Sequence, residues 1–302
     1  MKLARLIACA ALVAVAAAVP AQAAPIIGIG EQSPKVFTDP LFTGLRLHHV
    51  RAVVSWDGLH RRWERNQLDT YMAAARAAHV KVLLGFARAR SRARKWMLPS
   101  VKRFAHEFGL FRARYPWVHE YLTWNEANIC GQPTCHKPEL AARYYNAIRK
   151  RCRKCTIVAA DVLDARSMPA WIKRFRRVAK GRKIIWGIHN YIDANRFYTR
   201  GTRSLLRTVR GKVWFTETGG LVVRRNHSKI VFPGSIKHAA QATRFIFRLA
   251  ALSHRVKRIY FYHWFPATAK RARWDSALVN RNDTPRPAYK VLRAWIRHHH
   301  AS

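Results

Sequence analysis

The chain predicts an α/β fold, a single (β/α)8 barrel (the TIM-barrel architecture), and three observations carry that prediction. Eight short apolar runs recur along the 302 residues, each continuous rather than alternating in hydrophobicity. Strands of a parallel sheet buried on both faces read this way. Longer stretches with helical apolar spacing lie between the runs. No glycine-rich phosphate loop follows the first run, which argues against a doubly wound open sheet. Eight strand–helix units in about 280 residues match the closed barrel in number and length. No low-complexity linker divides the chain, so residues 24–302 read as one domain.

In order, "PIIGIG" (25–30) opens the series, and residues 39–47 leave room only for a stub of helix before "VRAVVSW" (50–56). Leu68, Met72 and Ala75 mark a helix over 67–79, ahead of "VKVLLGF" (80–86). Val101, Phe104, Phe108 and Phe111 mark the next over 99–114, followed by "HEYLTWN" (119–125). Leu140, Tyr144 and Ile148 give "PELAARYYNAIRK" helical periodicity before "TIVAAD" (156–161). A helix near 168–178 precedes "KIIWGIHNY" (183–191), and one near 202–209 precedes "KVWFTETG" (212–219). Ala242, Phe245, Ile246, Leu249 and Leu252 define a helix over 236–253, then "RIYFYHWF" (258–265) and a helix over 287–297 end the alternation.

Residues 1–23 have the three parts of a secretory leader: "MKLAR", an apolar core, and the small-residue site Ala21-Gln22-Ala23. An uncleaved anchor is the competing reading; no later run is apolar enough to span a bilayer. Four cysteines remain after cleavage: Cys130, Cys135, Cys152 and Cys155. One four-thiolate metal site is ruled out by the helix between the pairs, whose ends lie roughly 20 Å apart. In an oxidising compartment two local disulfides are expected, Cys130–Cys135 and Cys152–Cys155.

Charge is the extreme feature: 57 Lys and Arg against 15 Asp and Glu, a formal +42, or +40 without Lys2 and Arg5. Such a surface attracts anionic cell-wall polymers, acidic polysaccharide or nucleic acid. The plainer reading is a solvated excess of arginine, since the basic residues are spread along the whole chain. No nucleic-acid recognition motif accompanies the charge, so no specific nucleic-acid partner is expected.

The few acids are placed unevenly. Of seven glutamates, Glu126 ends the fourth run and Glu217 ends the seventh, while Glu31, Asp57 and Asp161 also fall at or near run ends. Barrel active sites form where strands end at the C-terminal face. Carboxylates gathered there in an otherwise basic protein suggest chemistry, because burying them costs free energy.

"TWNEAN" at the fourth run with "FTETGG" at the seventh resembles clan A of the glycoside hydrolases, across essentially the whole mature chain; families 39, 128 and 5 are the nearest in pattern. The resemblance implies a retaining (β/α)8 glycosidase with Glu126 as acid/base and Glu217 as nucleophile. Retention requires two carboxyl groups about 5–5.5 Å apart, one to attack and one to protonate the leaving oxygen. The charge on Glu217 would favour the protonated form of Glu126. Asn125 would then bind the sugar 2-hydroxyl, Tyr191 would hold the nucleophile, and His189 would line the site. Trp264 would lie under the sugar, with Trp56 and Asp57 on the cleft wall. Trp124 reads as barrel packing. Arg51 begins the second run rather than ending it, which separates it from the arginine the clan often places near the nucleophile.

The implied partner is a polysaccharide or oligosaccharide, cleaved by a monomer with no membrane span after leader removal. The mechanism needs no metal or cofactor; HEXXH is absent, and His298-His299-His300 reads as a solvated tail. The alternative is a barrel without the chemistry, a carbohydrate- or polyanion-binding protein at the cell wall.

Overall fold

The computed structural model of the protein describes residues 24–225, 232–267 and 273–300; the expected leader lies outside them. Eight parallel strands close a barrel: β1 (Ile26–Gly30), β2 (His49–Ser55), β3 (Lys81–Ala87), β4 (Glu120–Leu122), β5 (Thr156–Leu163), β6 (Ile185–His189), β7 (Val213–Thr218) and β9 (Val256–Tyr262). Closure is made by β9 against β1, in register from Ile26↔Arg258 to Gly30↔Tyr262. A short antiparallel pair, β8 (Val223–Arg224) with β10 (Trp274–Asp275), lies outside the barrel order. All eight barrel strands coincide with the apolar runs.

Inside the barrel, Leu83, Leu122, Val158, Trp214 and Tyr260 form a closed cluster. Tyr260 has room because β1 carries Gly28: a Cβ there would stand 2.6 Å from the phenol ring. Beneath this layer Arg258 donates from Nη2 to Glu120 Oε1 at 2.8 Å, and its guanidinium lies 4.0 Å over Trp214. That pair plugs the N-terminal end of the barrel.

The helical layer follows the amphipathic stretches: α1 (Pro40–Thr43), α2 (Arg62–Ala77), α3 (Val101–Arg114), α4 (Pro138–Arg151), α5 (Met168–Val178), α6 (Tyr191–Arg196), α7 (Arg200–Thr208), α8 (Ile236–Ala251) and α9 (Pro287–His300). Ser100 and Ser235 cap α3 and α8, accepting from the backbone N–H three residues on. Disulfides join Cys130 to Cys135 and Cys152 to Cys155, with α4 between them. Two boundaries differ from expectation. The sixth strand stops at His189, and Tyr191 opens α6 instead of ending the strand. The carboxylate of Asp193 draws this segment inward, accepting from the N–H groups of Gly201 and Thr202. The final helix runs to His300, so His298 and His299 belong to it, and His299 stacks on Trp295. No described helix is long and apolar enough to cross a membrane.

Candidate active site

At the C-terminal end of the barrel one carboxylate oxygen of Glu126 lies within 4.8 Å of one from Glu217, and a ring nitrogen of His189 lies within the same distance of both. The two glutamates border a cavity of about 230 Å³, together with Glu31, Gln32, Arg51, Asn125 and Tyr262. Glu126 sits in the loop after β4 with φ 49°, a left-handed backbone that a glutamate adopts only when its surroundings impose it. The imposing group is Asp161 on β5. Its Oδ1 accepts from the Glu126 N–H at 2.5 Å, and its backbone oxygen accepts from Ala127 at 3.0 Å.

Asp161 and Glu217 reach the interior by the same device. Counting alternately from the interior residues Val158 and Trp214, both acids should point outward. The pairing register shifts between Val158 and Asp161 in β5, and between Phe215 and Thr218 in β7. Each irregularity turns the side chain that follows.

Arg51 ties the acids together. It donates to Glu217 Oε2 at 2.7 Å, Asp161 Oδ2 at 2.9 Å and Asn125 Oδ1 at 2.6 Å. His189 Nε2 meets the same Asp161 oxygen at 2.9 Å, and Nδ1 lies 3.2 Å from Glu126 Oε1. Burial alone would lower the His189 pKa, but Asp161 and Glu217 outweigh it and raise the imidazole to about 10. Each ring nitrogen faces a carboxylate, and those contacts favour the protonated ring, although the Arg51 guanidinium also lies 3.2 Å from Nε2. Burial works against the Asp161 carboxylate too, yet His189 and Arg51 hold it below the usual range. Tyr191 donates to Glu217 Oε1 at 3.2 Å; burial first, then the Glu217 charge, push its hydroxyl well above the usual pKa. Glu217 thus has a donor on each oxygen.

One more acid on this end behaves differently. Asp164 Oδ2 accepts from the Asp193 N–H at 2.8 Å, while Oδ1 is buried and accepts nothing among the described residues. Burial, reinforced by the Asp193 charge against the backbone donors, pushes this carboxyl up to about 7.

The structure brings Glu126, Glu217, Asn125, His189 and Tyr191 together and leaves three expected residues out. Trp264 is fully buried, its indole N–H donated to Asp39 at 3.0 Å and its ring edge-on to Phe42 and Tyr289. The strand ends two residues before it, so the chain has already turned outward beneath α1 and α9. With no open face it offers nothing to a sugar ring. Trp56 is 1% exposed and Asp57 0% exposed, so neither forms a cleft wall. Asp57 is held by Arg61 and Arg94 at 3.0 Å each, and the Arg94 guanidinium covers the Trp56 ring. Trp124 packs on Tyr144, as its barrel-packing reading requires.

Glu31 is a brace rather than a free acid. It accepts four backbone N–H groups: Gln32 and Ser33 on one oxygen, Trp264 and Phe265 on the other. Its place at the start of the strand separates Arg51 from Glu217 in the sequence, but its length carries the guanidinium up the barrel to that carboxylate. Sequence reasoning also missed Tyr262 and Trp274. Tyr262 shares its alternation with Tyr260, a signal that could have placed it inside. Trp274 gave no such signal: it comes from a distant loop and meets Tyr191 edge-on at 4.7 Å. Both line a groove of about 1450 Å³ that shares Glu31 and Tyr262 with the smaller cavity.

No protein-family model matches the chain, and no curated protein matches it by sequence. Solved structures match in fold. Xylanase 10B from Thermotoga petrophila superposes with a TM-score of 0.65 at 10% identity, over 91% of this chain and 94% of the xylanase. A fungal β-1,4-galactanase gives 0.66 at 12% identity, over 89% and 99%. A family 39 glycoside hydrolase from Bacteroides cellulosilyticus gives 0.58 at 14% identity, over 91% of this chain and 64% of that one. The chain shares its closed barrel with these glycoside hydrolases.

Proposed function

We propose that the protein is a secreted retaining β-glycosidase acting on a polysaccharide or oligosaccharide, with Glu126 as acid/base and Glu217 as nucleophile. The observation that carries this is the approach of the two carboxylates to within 4.8 Å across a cavity open to solvent. Carboxyl oxygens this close suit direct attack better than the wider separation with an interposed water that an inverting enzyme uses. In the first step a Glu217 oxygen bonds to the anomeric carbon as the glycosidic C–O bond breaks, and Glu126 gives its proton to the departing oxygen. In the second, Glu126 takes a proton from water, which attacks the same carbon and releases Glu217.

Arg51 and Tyr191 hold Glu217 from both oxygens, so the attacking group is oriented before substrate arrives. Arg51 also takes the carbonyl oxygen of Asn125, leaving the amide NH2 as the group for the sugar 2-hydroxyl. The structural relatives act on β-linked xylan, glucan, galactan and mannoside, and these define the panel to test. Reducing ends should appear on at least one member. Glu217→Ala should abolish them by orders of magnitude, with azide restoring part of the rate as a glycosyl azide. Wild-type turnover in Glu217→Ala would overturn the roles. Export through the leader predicts a mature N-terminus at Ala24, readable from the mass of the secreted protein.

A further inference from the structure

The reaction just described uses few of the protein's cations, and a group of others lies at the other end of the barrel. There α4 and the segment after α5 meet the starts of β5 and β6 around a groove of about 1180 Å³. Arg143, Arg149, Lys150, Arg153, Lys180 and Lys183 line it, and no acidic residue does. A few surface arginines meet acids, as Arg114 meets Asp69 and Arg174 meets Glu139. None of the six groove cations has a carboxylate partner among the described residues.

The groove is built rather than merely exposed. Asn146 on α4 donates to Val178 O at 2.9 Å and accepts from the Lys180 N–H at 2.8 Å, clamping the turn after α5. The Arg149 guanidinium donates to Lys180 O and lies 5.3 Å over the Tyr145 ring. Gly181, at φ 107°, permits that approach, since a Cβ would stand 2.6 Å from Arg149 Nη1. The Cys152–Cys155 disulfide fixes the turn that carries Arg153. Helix dipoles account for basic residues in a last turn, such as Arg149 and Lys150. They do not account for Arg153, Lys180 and Lys183, which lie beyond the helices. Like charges held this close repel one another, and a polyanion relieves that repulsion while releasing its own counterions.

We propose that this groove binds an acidic polysaccharide through its carboxylates, at the end of the barrel opposite Glu126 and Glu217. A nucleic acid fits less well. Tyr145 is the only aromatic residue in the lining, and it is buried beneath Arg149, so no ring is free for a base to stack on. The proposal concerns binding alone and stands whether or not hydrolysis is found.

The test is titration of the mature protein with unesterified polygalacturonate, its methyl-esterified neutral form, and a single-stranded DNA oligonucleotide. One variant reverses three groove charges, Lys150→Glu, Arg153→Glu and Lys183→Glu. The control reverses three exposed cations on other faces, Arg62→Glu, Arg76→Glu and Arg293→Glu, with an equal change in net charge. At about 50 mM salt the groove variant should bind polygalacturonate at least roughly tenfold more weakly than the control, and the wild-type affinity should fall steeply toward about 200 mM. The esterified polymer should bind none of the three. Equal losses in both variants would reduce the effect to overall charge and overturn the groove. A groove-specific loss for DNA as large as for polygalacturonate would overturn the choice of partner. Should charge reversal lower the melting midpoint, Lys150→Gln, Arg153→Gln and Lys183→Gln decide the matter, with a smaller loss in the same order expected.

Discussion

The two ends of the barrel treat charge in opposite ways. At the C-terminal end three carboxylates converge, and two buried cations, Arg51 and His189, lie among them. At the N-terminal end six cations surround a groove with no acid in its lining. Only 15 acidic residues serve the whole chain. Several others act as braces: Glu31 and Asp39 hold backbone turns, Asp57 and Glu120 neutralise arginines. Cations dominate wherever solvent can screen them, and acids persist where geometry needs them.

The sharpest way to break this contrast is to remove one cation from the catalytic end. Arg51→Gln leaves Glu217 and Asp161 buried without their shared partner, a loss worth about 3–5 kcal/mol of stability for a broken buried pair. Hydrolysis should fall roughly a hundredfold or more, because Glu217 loses its orientation. Arg51→Lys should rescue little of it, since one ammonium cannot bridge Glu217, Asp161 and Asn125 at once. A single groove cation exchanged for Gln should leave turnover unchanged. Comparable turnover in Arg51→Gln and wild type would dissolve the distinction between the ends.

Asp164 sharpens the comparison, being a buried acid at the C-terminal end whose Oδ1 accepts no hydrogen bond among the described residues. Its folded pKa of about 7 lies above the unfolded value, so ionising it opposes folding. The contribution of this group to stability is therefore most favourable in acid, where both states are protonated, and declines as pH rises from the unfolded value through about 7. Asp164→Asn should remove that decline, raising stability at pH 8 by roughly 2–4 kcal/mol while changing little at low pH. An unchanged pH profile of the melting midpoint would show that the carboxyl is not strained.

The smallest effect concerns the two tryptophans. Trp274→Ala should raise KM roughly fivefold, about 1 kcal/mol of aromatic contact, with the melting midpoint preserved. Trp264→Ala should do the reverse, costing about 3–5 kcal/mol of stability for a buried indole. A rise in KM from Trp264→Ala without loss of stability would restore it to the cleft.

These residues also show what was legible in advance. Continuous apolar runs mark parallel strands because both faces of such strands are buried, and all eight runs were strands. Glu126 and Glu217 could be read because they stand at run ends in a chain poor in acids. Four features resisted. Alternation fails at Asp161 and Glu217, where shifted register turns the side chain inward. Position along a strand misjudges Arg51, whose reach exceeds its backbone height. A run counted through Trp264 overlooks the turn after Tyr262 that buries the indole. Trp274 depends on a loop whose path no local pattern encodes.

The most direct test of the central claim is the anomeric form of the first product. Proton NMR during the opening minutes of hydrolysis of a β-linked oligosaccharide should show the β-anomer first, with the α-anomer growing only as mutarotation proceeds. An α-anomer appearing first would mean single displacement and contradict the assignment of Glu126 and Glu217 as a close-set pair.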